Sequence, residues 1–133
     1  MKLKVSGLLL LTVLSFSACD KDENDDLTST QKITRQWQID KYYGYGVDST
    51  VFFNYPFGGY KIDIKGSGQY TERYTNFGSP RVVNGTWQFL NNSAYFQQVD
   101  SSQSRTFTVI SLEADYLKLK NPLKDQQYWL KPL

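Results

Sequence analysis

The sequence predicts an all-β fold: a small antiparallel up-and-down barrel of about eight to nine strands behind a short N-terminal helix. Three observations carry that prediction. From Trp37 onward apolar residues recur with period two over short runs, and Gly, Asn, Asp or Pro separates one run from the next. The chain holds 3 Trp, 10 Tyr and 8 Phe, of which Phe16 is the only one before residue 20, and large rings suit a pleated, half-buried surface. No gap between runs has room for a crossover helix, so successive strands must run antiparallel.

Thr28, Ser29 and Thr30 are candidate caps for a short helix over residues 31–35. The first strand is expected at 36–43, with Trp37 and Ile39 on one face, and Gly44, Tyr45, Gly46 and Asp48 turn the chain. A second strand is expected at 50–55, stopped by Pro56-Phe57-Gly58-Gly59. Residues 60–65 alternate cleanly, Tyr60, Ile62 and Ile64 against Lys61, Asp63 and Lys65, which is a half-buried strand. Gly66-Ser67-Gly68 is a hairpin turn into 69–75, and 76–80 reads as a loop. Further strands follow at 83–90, 94–99, 105–112, 116–121 and 127–131, with turns at Asn91-Asn92, 100–104, Glu113-Ala114-Asp115 and 122–126. This pattern fits either a barrel or a sandwich. Closure into a barrel is the expected form, because it removes the exposed sheet edges.

The first 18 residues read differently. Lys2 and Lys4 give a basic start and Val5 to Phe16 an apolar run, shorter than the roughly 20 residues a spanning helix needs. That is the form of a secretory signal peptide. Cys19, the single cysteine, stands at its end and has no internal partner. Leu14-Ser15-Phe16-Ser17-Ala18-Cys19 resembles the lipobox of bacterial lipoproteins, in which the cysteine becomes the first mature residue and carries acyl chains such as palmitate. One chain holds a protein weakly to a bilayer, whereas several hold it stably. Asp20 to Asp26 is strongly acidic and reads as an extended tether. The expected organisation is a signal peptide at 1–18, a lipidated Cys19 with its acidic tether at 19–29, and a barrel domain at 30–133. Lys21-Asp22-Glu23 resembles the export signal of surface lipoproteins in the Bacteroidota, which implies a place on the outer membrane facing outward. The sorting rule of enteric bacteria, reading Asp20, implies inner-membrane retention instead.

Charge and composition exclude several functions. The chain has 15 basic and 13 acidic residues, and the basic ones in the domain are scattered rather than striped as nucleic-acid binding requires. With 0 His and the cysteine assigned to lipid, imidazole or thiolate zinc sites and His-dependent triads are ruled out. Paired carboxylates could still cleave glycosides, but Asp40, Asp63, Asp100, Glu113, Asp115 and Asp125 fall on outward positions or turns. Glu72 shares the parity of Tyr70 and Tyr74. It is either a buried acid or a surface residue of a twisted strand paired with Arg73 or Arg105, and the surface position is the expected one. No enzyme, cofactor or metal is expected.

The capped helix, Trp37 on the first strand, Gly85-Thr86-Trp87, the spacing of Phe107, Val109 and Leu112, and Leu117 with Leu119 together resemble the lipocalin-like domains of Bacteroidota lipoproteins. The resemblance covers residues 30–131. It implies a non-catalytic binding or structural module for a small apolar or amphipathic ligand, with Trp37, Tyr70, Tyr74, Trp87 and Phe89 as candidate ligand-binding residues. In so small a barrel the default for inward aromatics such as Trp37, Trp87 and Phe89 is to fill the core. Two alternatives stand beside it. One is a carbohydrate-binding accessory of surface glycan uptake, built on coplanar exposed rings near Asn91, Asn92 and Gln97 or on the cluster Tyr42, Tyr43, Tyr45, Phe57 and Tyr60. The other is an inhibitor of an enzyme that attacks the envelope. Asp48-Ser49-Thr50 also resembles the short O-linked sugar site of that phylum.

The lipid anchor has a direct test. Replacing Cys19→Ala should move the protein from the membrane fraction to the soluble fraction after cell lysis. Retention on the membrane would refute the anchor.

Overall fold

The computed structural model describes residues 27–53 and 58–133. The leader, Cys19, the acidic stretch to Asp26 and residues 54–57 of the expected second strand and its stop lie outside the described residues.

A single helical turn, α1 (Ser29–Ile33), opens the domain. Of the three candidate caps Thr28 is the one used: its Oγ1 accepts from Gln31 N at 3.2 Å while Gln31 Oε1 accepts from Thr28 N at 2.9 Å. This reciprocal pair satisfies two of the helix's free donors. The turn has no length to be stable alone, so it must be held by what it packs on. Ile33 is fully buried, Ile33 O accepts from the Trp37 indole at 2.9 Å, Lys32 pairs with Glu113, and an Arg35 guanidinium nitrogen donates to Ala114 O.

The strands are β1 (Gln36–Gly44), β2 (Val47–Asp48), β3 (Lys61–Ile64), β4 (Gln69–Asn76), β5 (Ser79–Leu90), β6 (Tyr95–Asp100), β7 (Ser104–Leu112), β8 (Leu117–Asn121) and β9 (Gln126–Pro132). β1 and β3 to β9 pair antiparallel in sequence order, and β9 returns to β1, with Ile39 opposite Leu130 and Tyr42 opposite Tyr128. The result is the expected antiparallel barrel, and β2 is a short extra strand folded back on the end of β1.

Two expected elements differ. Residues 50–53 form a 3-10 turn rather than a strand. Asp48 Oδ1 accepts from both Thr50 N (3.1 Å) and Thr50 Oγ1 (2.6 Å), and this local turn outcompetes the β preference of Thr-Val-Phe-Phe. Ser79 and Pro80, expected in a loop, extend β5, because Phe77 (φ 47°) and Gly78 (φ 80°) make a two-residue hairpin.

Bulges shift the inward face twice. In β1 the register slips between Ile39 and Lys41, so Trp37 and Ile39 point inward and Tyr42 follows them. In β7 it slips between Val109 and Ser111, and Ile110 is left 47% exposed.

The two barrel ends are unlike. At one end α1 and the turns at 65–68, 91–94 and 113–116 meet over a solid core of Ile33, Trp37, Ile64, Tyr70, Trp87, Phe96 and Leu117. The indole of Trp87 donates to Lys65 O at 2.8 Å, so both buried Trp nitrogens are satisfied. Gly85, opposite Tyr70, is part of this packing, because a methyl there would lie 2.7 Å from the Tyr70 ring and against Val99 O. Only a residue without a side chain lets that ring lie across β5. Gly85→Ala should therefore cost at least about 2 kcal/mol, as overpacked sites do. The check is the thermal midpoint by circular dichroism. An unchanged midpoint would show that the close approach is not obligatory.

Candidate functional site: the barrel cavity

Above the packed end the barrel is hollow. The space measures about 770 Å³, within the range of small-molecule sites. Ile62, Val83, Phe107, Leu119, Tyr128 and Leu130 give its apolar walls, while Tyr45, Ser49, Phe52, Gln103, Lys124 and Gln126 stand nearer its mouth at the opposite strand ends. A ring cluster forms one side, with Tyr42 against Phe53 (4.7 Å between centroids) and Tyr128 (5.2 Å), and Tyr128 against Phe107 (5.7 Å).

One wall carries charge. Glu72 on β4 is only 2% exposed, and Arg105 on β7 donates from Nη2 to both its oxygens at 2.9 and 3.0 Å. Tyr60 Oη at 2.9 Å and Gln98 Nε2 at 3.2 Å also donate to Glu72 Oε1. The carboxylate is thus fully paired, which is the condition for burying it. This corrects the expectation of a surface Glu72. The pairing with Arg105 was among its foreseen partners, but alternation along one strand cannot reveal that three other elements supply its bonds. Burial alone would lower the pKa of Arg105, but the Glu72 charge and its hydrogen bonds more than offset this and hold it above its ordinary value. Burial, then the Glu72 charge, pushes the Tyr60 phenol well up, and burial pushes Tyr70 up as well. The Tyr70 hydroxyl and Arg105 Nε are buried against each other, close enough to interact but poorly aligned for a full hydrogen bond, and the Arg105 bonds to Glu72 leave its Nη1 unspent. A buried ion pair is poor evidence for stability, and unfilled polar capacity next to it points to a use.

The candidate ligand-binding residues divide. Tyr74 lines the cavity. Trp37, Tyr70 and Trp87 instead belong to the solid core beneath it, and Phe89 packs on Trp87 and Phe96 at 5.5 and 6.1 Å. The core-filling default thus describes Trp37, Trp87 and Phe89. Of the tyrosine cluster, Tyr42 and Tyr60 line the cavity and Tyr45 its mouth, Tyr43 faces outward against Trp129, and Phe57 lies outside the described residues. The outward rings are not coplanar: Tyr43 and Trp129 meet at 50°, Tyr116 and Trp129 at 73°, with Lys118 Nζ 4.1 Å over Trp129. Gln97 is engaged with Gln88 and Thr106 across neighbouring strands. Ser49, the acceptor position of the possible sugar site, sits at the cavity mouth with its hydroxyl donated to Val47 O. Sequence reasoning missed Tyr128, Arg105 and Gln98 as cavity residues. Among the described residues no group of acidic side chains could hold a metal ion.

No protein-family model matches the chain, and no curated protein matches it. Among solved structures it is similar to a lipocalin-like protein from Bacteroides uniformis, with a TM-score of 0.62 and 13% identity over 77% of this chain and 99% of that one. At that identity the likeness is one of fold, and the fold of this chain is lipocalin-like.

Tyr128 gives the cavity a pH signature. Burial, then the neighbouring Tyr42, pushes its pKa from 10.0 up to about 12. The folded state therefore favours the neutral phenol, so its contribution is complete below pH 10 and is lost as pH rises through 12. Tyr60 acts in the same direction. The urea midpoint should fall above about pH 10, and Tyr128→Phe should flatten that fall by about 1 kcal/mol at pH 11. Equal slopes in both proteins would contradict the buried phenol.

Proposed function

We propose that this chain is a non-catalytic binding module that holds one small amphipathic molecule inside its barrel and works outside the cytoplasm on a lipid-bearing Cys19. The observation that carries the binding reading is the hollow of about 770 Å³, apolar on most sides and charged on one. A barrel meant only as a structural block gains nothing by leaving such space empty, since each missing contact forfeits dispersion energy. The lipocalin-like fold supports the reading, being generally a binding fold.

The anchoring half rests on the sequence. A basic start, an apolar run to Phe16 and a lone cysteine at its end support a signal peptide over 1–18 and acylation at Cys19. Lys21-Asp22-Glu23 supports export to the outer face of a bacterial outer membrane. The acidic tether at 19–29 would then stand the barrel away from the lipid surface, its mouth free to exchange ligand.

The binding reading is tested on the Cys19→Ala chain with N-phenyl-1-naphthylamine, an apolar dye that brightens on leaving water. Saturable binding at one site per chain is expected. Val83→Trp, which places an indole in the cavity, should weaken it at least about tenfold, or 1.4 kcal/mol. Absence of saturable binding, or binding unaffected by Val83→Trp in a folded protein, would overturn the proposal.

A further inference from the structure

The polar wall of the cavity restricts what the occupant's head group can be; this rests on the reading that the cavity holds a small amphipathic ligand. Glu72 and Arg105 cancel, so the cluster carries no net charge. Both oxygens of its carboxylate are engaged: Glu72 Oε1 takes bonds from Tyr60, Gln98 and Arg105, and Oε2 takes one from Arg105. Its spare capacity lies in donors. Both bonds from Arg105 to Glu72 leave from Nη2, so Nη1 is not spent on Glu72, and the Arg105 side chain is 28% exposed where it lines the cavity, while Nε and the Tyr70 hydroxyl are buried against each other in the core beneath. The remaining charge along the lining is Lys124, exposed at the mouth, where water screens it.

A group with spare lone pairs therefore fits this wall, and a full negative charge does not. A carboxylate placed here would leave one uncompensated charge beside the buried Glu72, which is costly. We propose that the Glu72–Arg105 cluster selects an amphipathic ligand whose polar end is a neutral hydrogen-bond acceptor, such as an ester, amide or ketone carbonyl, over one ending in a free carboxylate. In this arrangement Glu72 is a positioning residue: it spends the charge of Arg105 without touching the ligand.

The experiment is displacement of N-phenyl-1-naphthylamine from the Cys19→Ala chain by methyl dodecanoate, dodecanamide and dodecanoate at neutral pH. The ester and amide should compete at least about tenfold better than the carboxylate. Glu72→Gln keeps an acceptor for Tyr60 and Arg105 but leaves the guanidinium uncancelled, so dodecanoate should overtake the ester in that variant. If wild-type protein binds all three equally, or prefers dodecanoate, the head-group assignment fails while the cavity reading stands. A folded Glu72→Gln variant with the wild-type order of preference would also overturn it. If none of the three displaces the dye, the head-group assignment falls, while the cavity reading is decided by the dye's own binding to this chain and to Val83→Trp. Should Glu72→Gln not fold, the order measured on the Glu72-containing protein decides alone.

Discussion

The packed end of the barrel is centred on Trp37, and the bond from its indole to Ile33 O ties the helix down there. It joins the one-turn helix to the first strand at a residue that is 0% exposed. Around it Ile64, Tyr70, Trp87, Phe96 and Leu117 stack into a solid floor. A helix of one turn has no independent stability, so it stays across the barrel end only because its carbonyl, its Ile33 side chain and its neighbours Lys32 and Arg35 are all engaged there. With one end closed by rings and helix, the inward side chains of the other half project into open space. The division between packed floor and hollow cup follows from where the large rings fall along the strands.

Much of this is legible in the sequence, and the reason is periodicity. Residues 61–64 and 117–120 alternate without exception, the glycine turns are in place, and the helix start is marked by Thr28 with Gln31 three residues on. What escapes is whatever depends on two strands at once. The bulges beside Asp40 and Ile110 leave no mark in the local pattern, yet the first of them carries Tyr42 inward. The turn at Thr50–Phe53 has β-forming residues throughout, and a single Asp48 carboxylate overrides them.

The site was legible only in part, for the same reason. Glu72 has the parity of an inward residue, but its partners come from positions 60, 98 and 105. Only the closed barrel brings them together. Burial of that carboxylate was disfavoured by general cost, and the cost is offset here by bonds from Tyr60, Gln98 and Arg105. Trp37 and Trp87 were attractive as ligand stackers, yet large rings next to α1 are what seal the floor. The wall is left to Tyr128, Phe107, Leu119 and Leu130, which look unremarkable as a sequence.

The account therefore makes a positional claim: a ligand touches the ion-paired wall and leaves Trp37 and Trp87, beneath the cavity, untouched. Nitrogen-15 NMR reads this directly, because the indole N–H groups of Trp37, Trp87 and Trp129 report the floor and the outer surface while the Arg105 Nε–H reports the wall. Adding methyl dodecanoate should shift the Arg105 signal and leave the Trp37 indole signal in place. Shifts at Trp37 or Trp129 with Arg105 unmoved would contradict it.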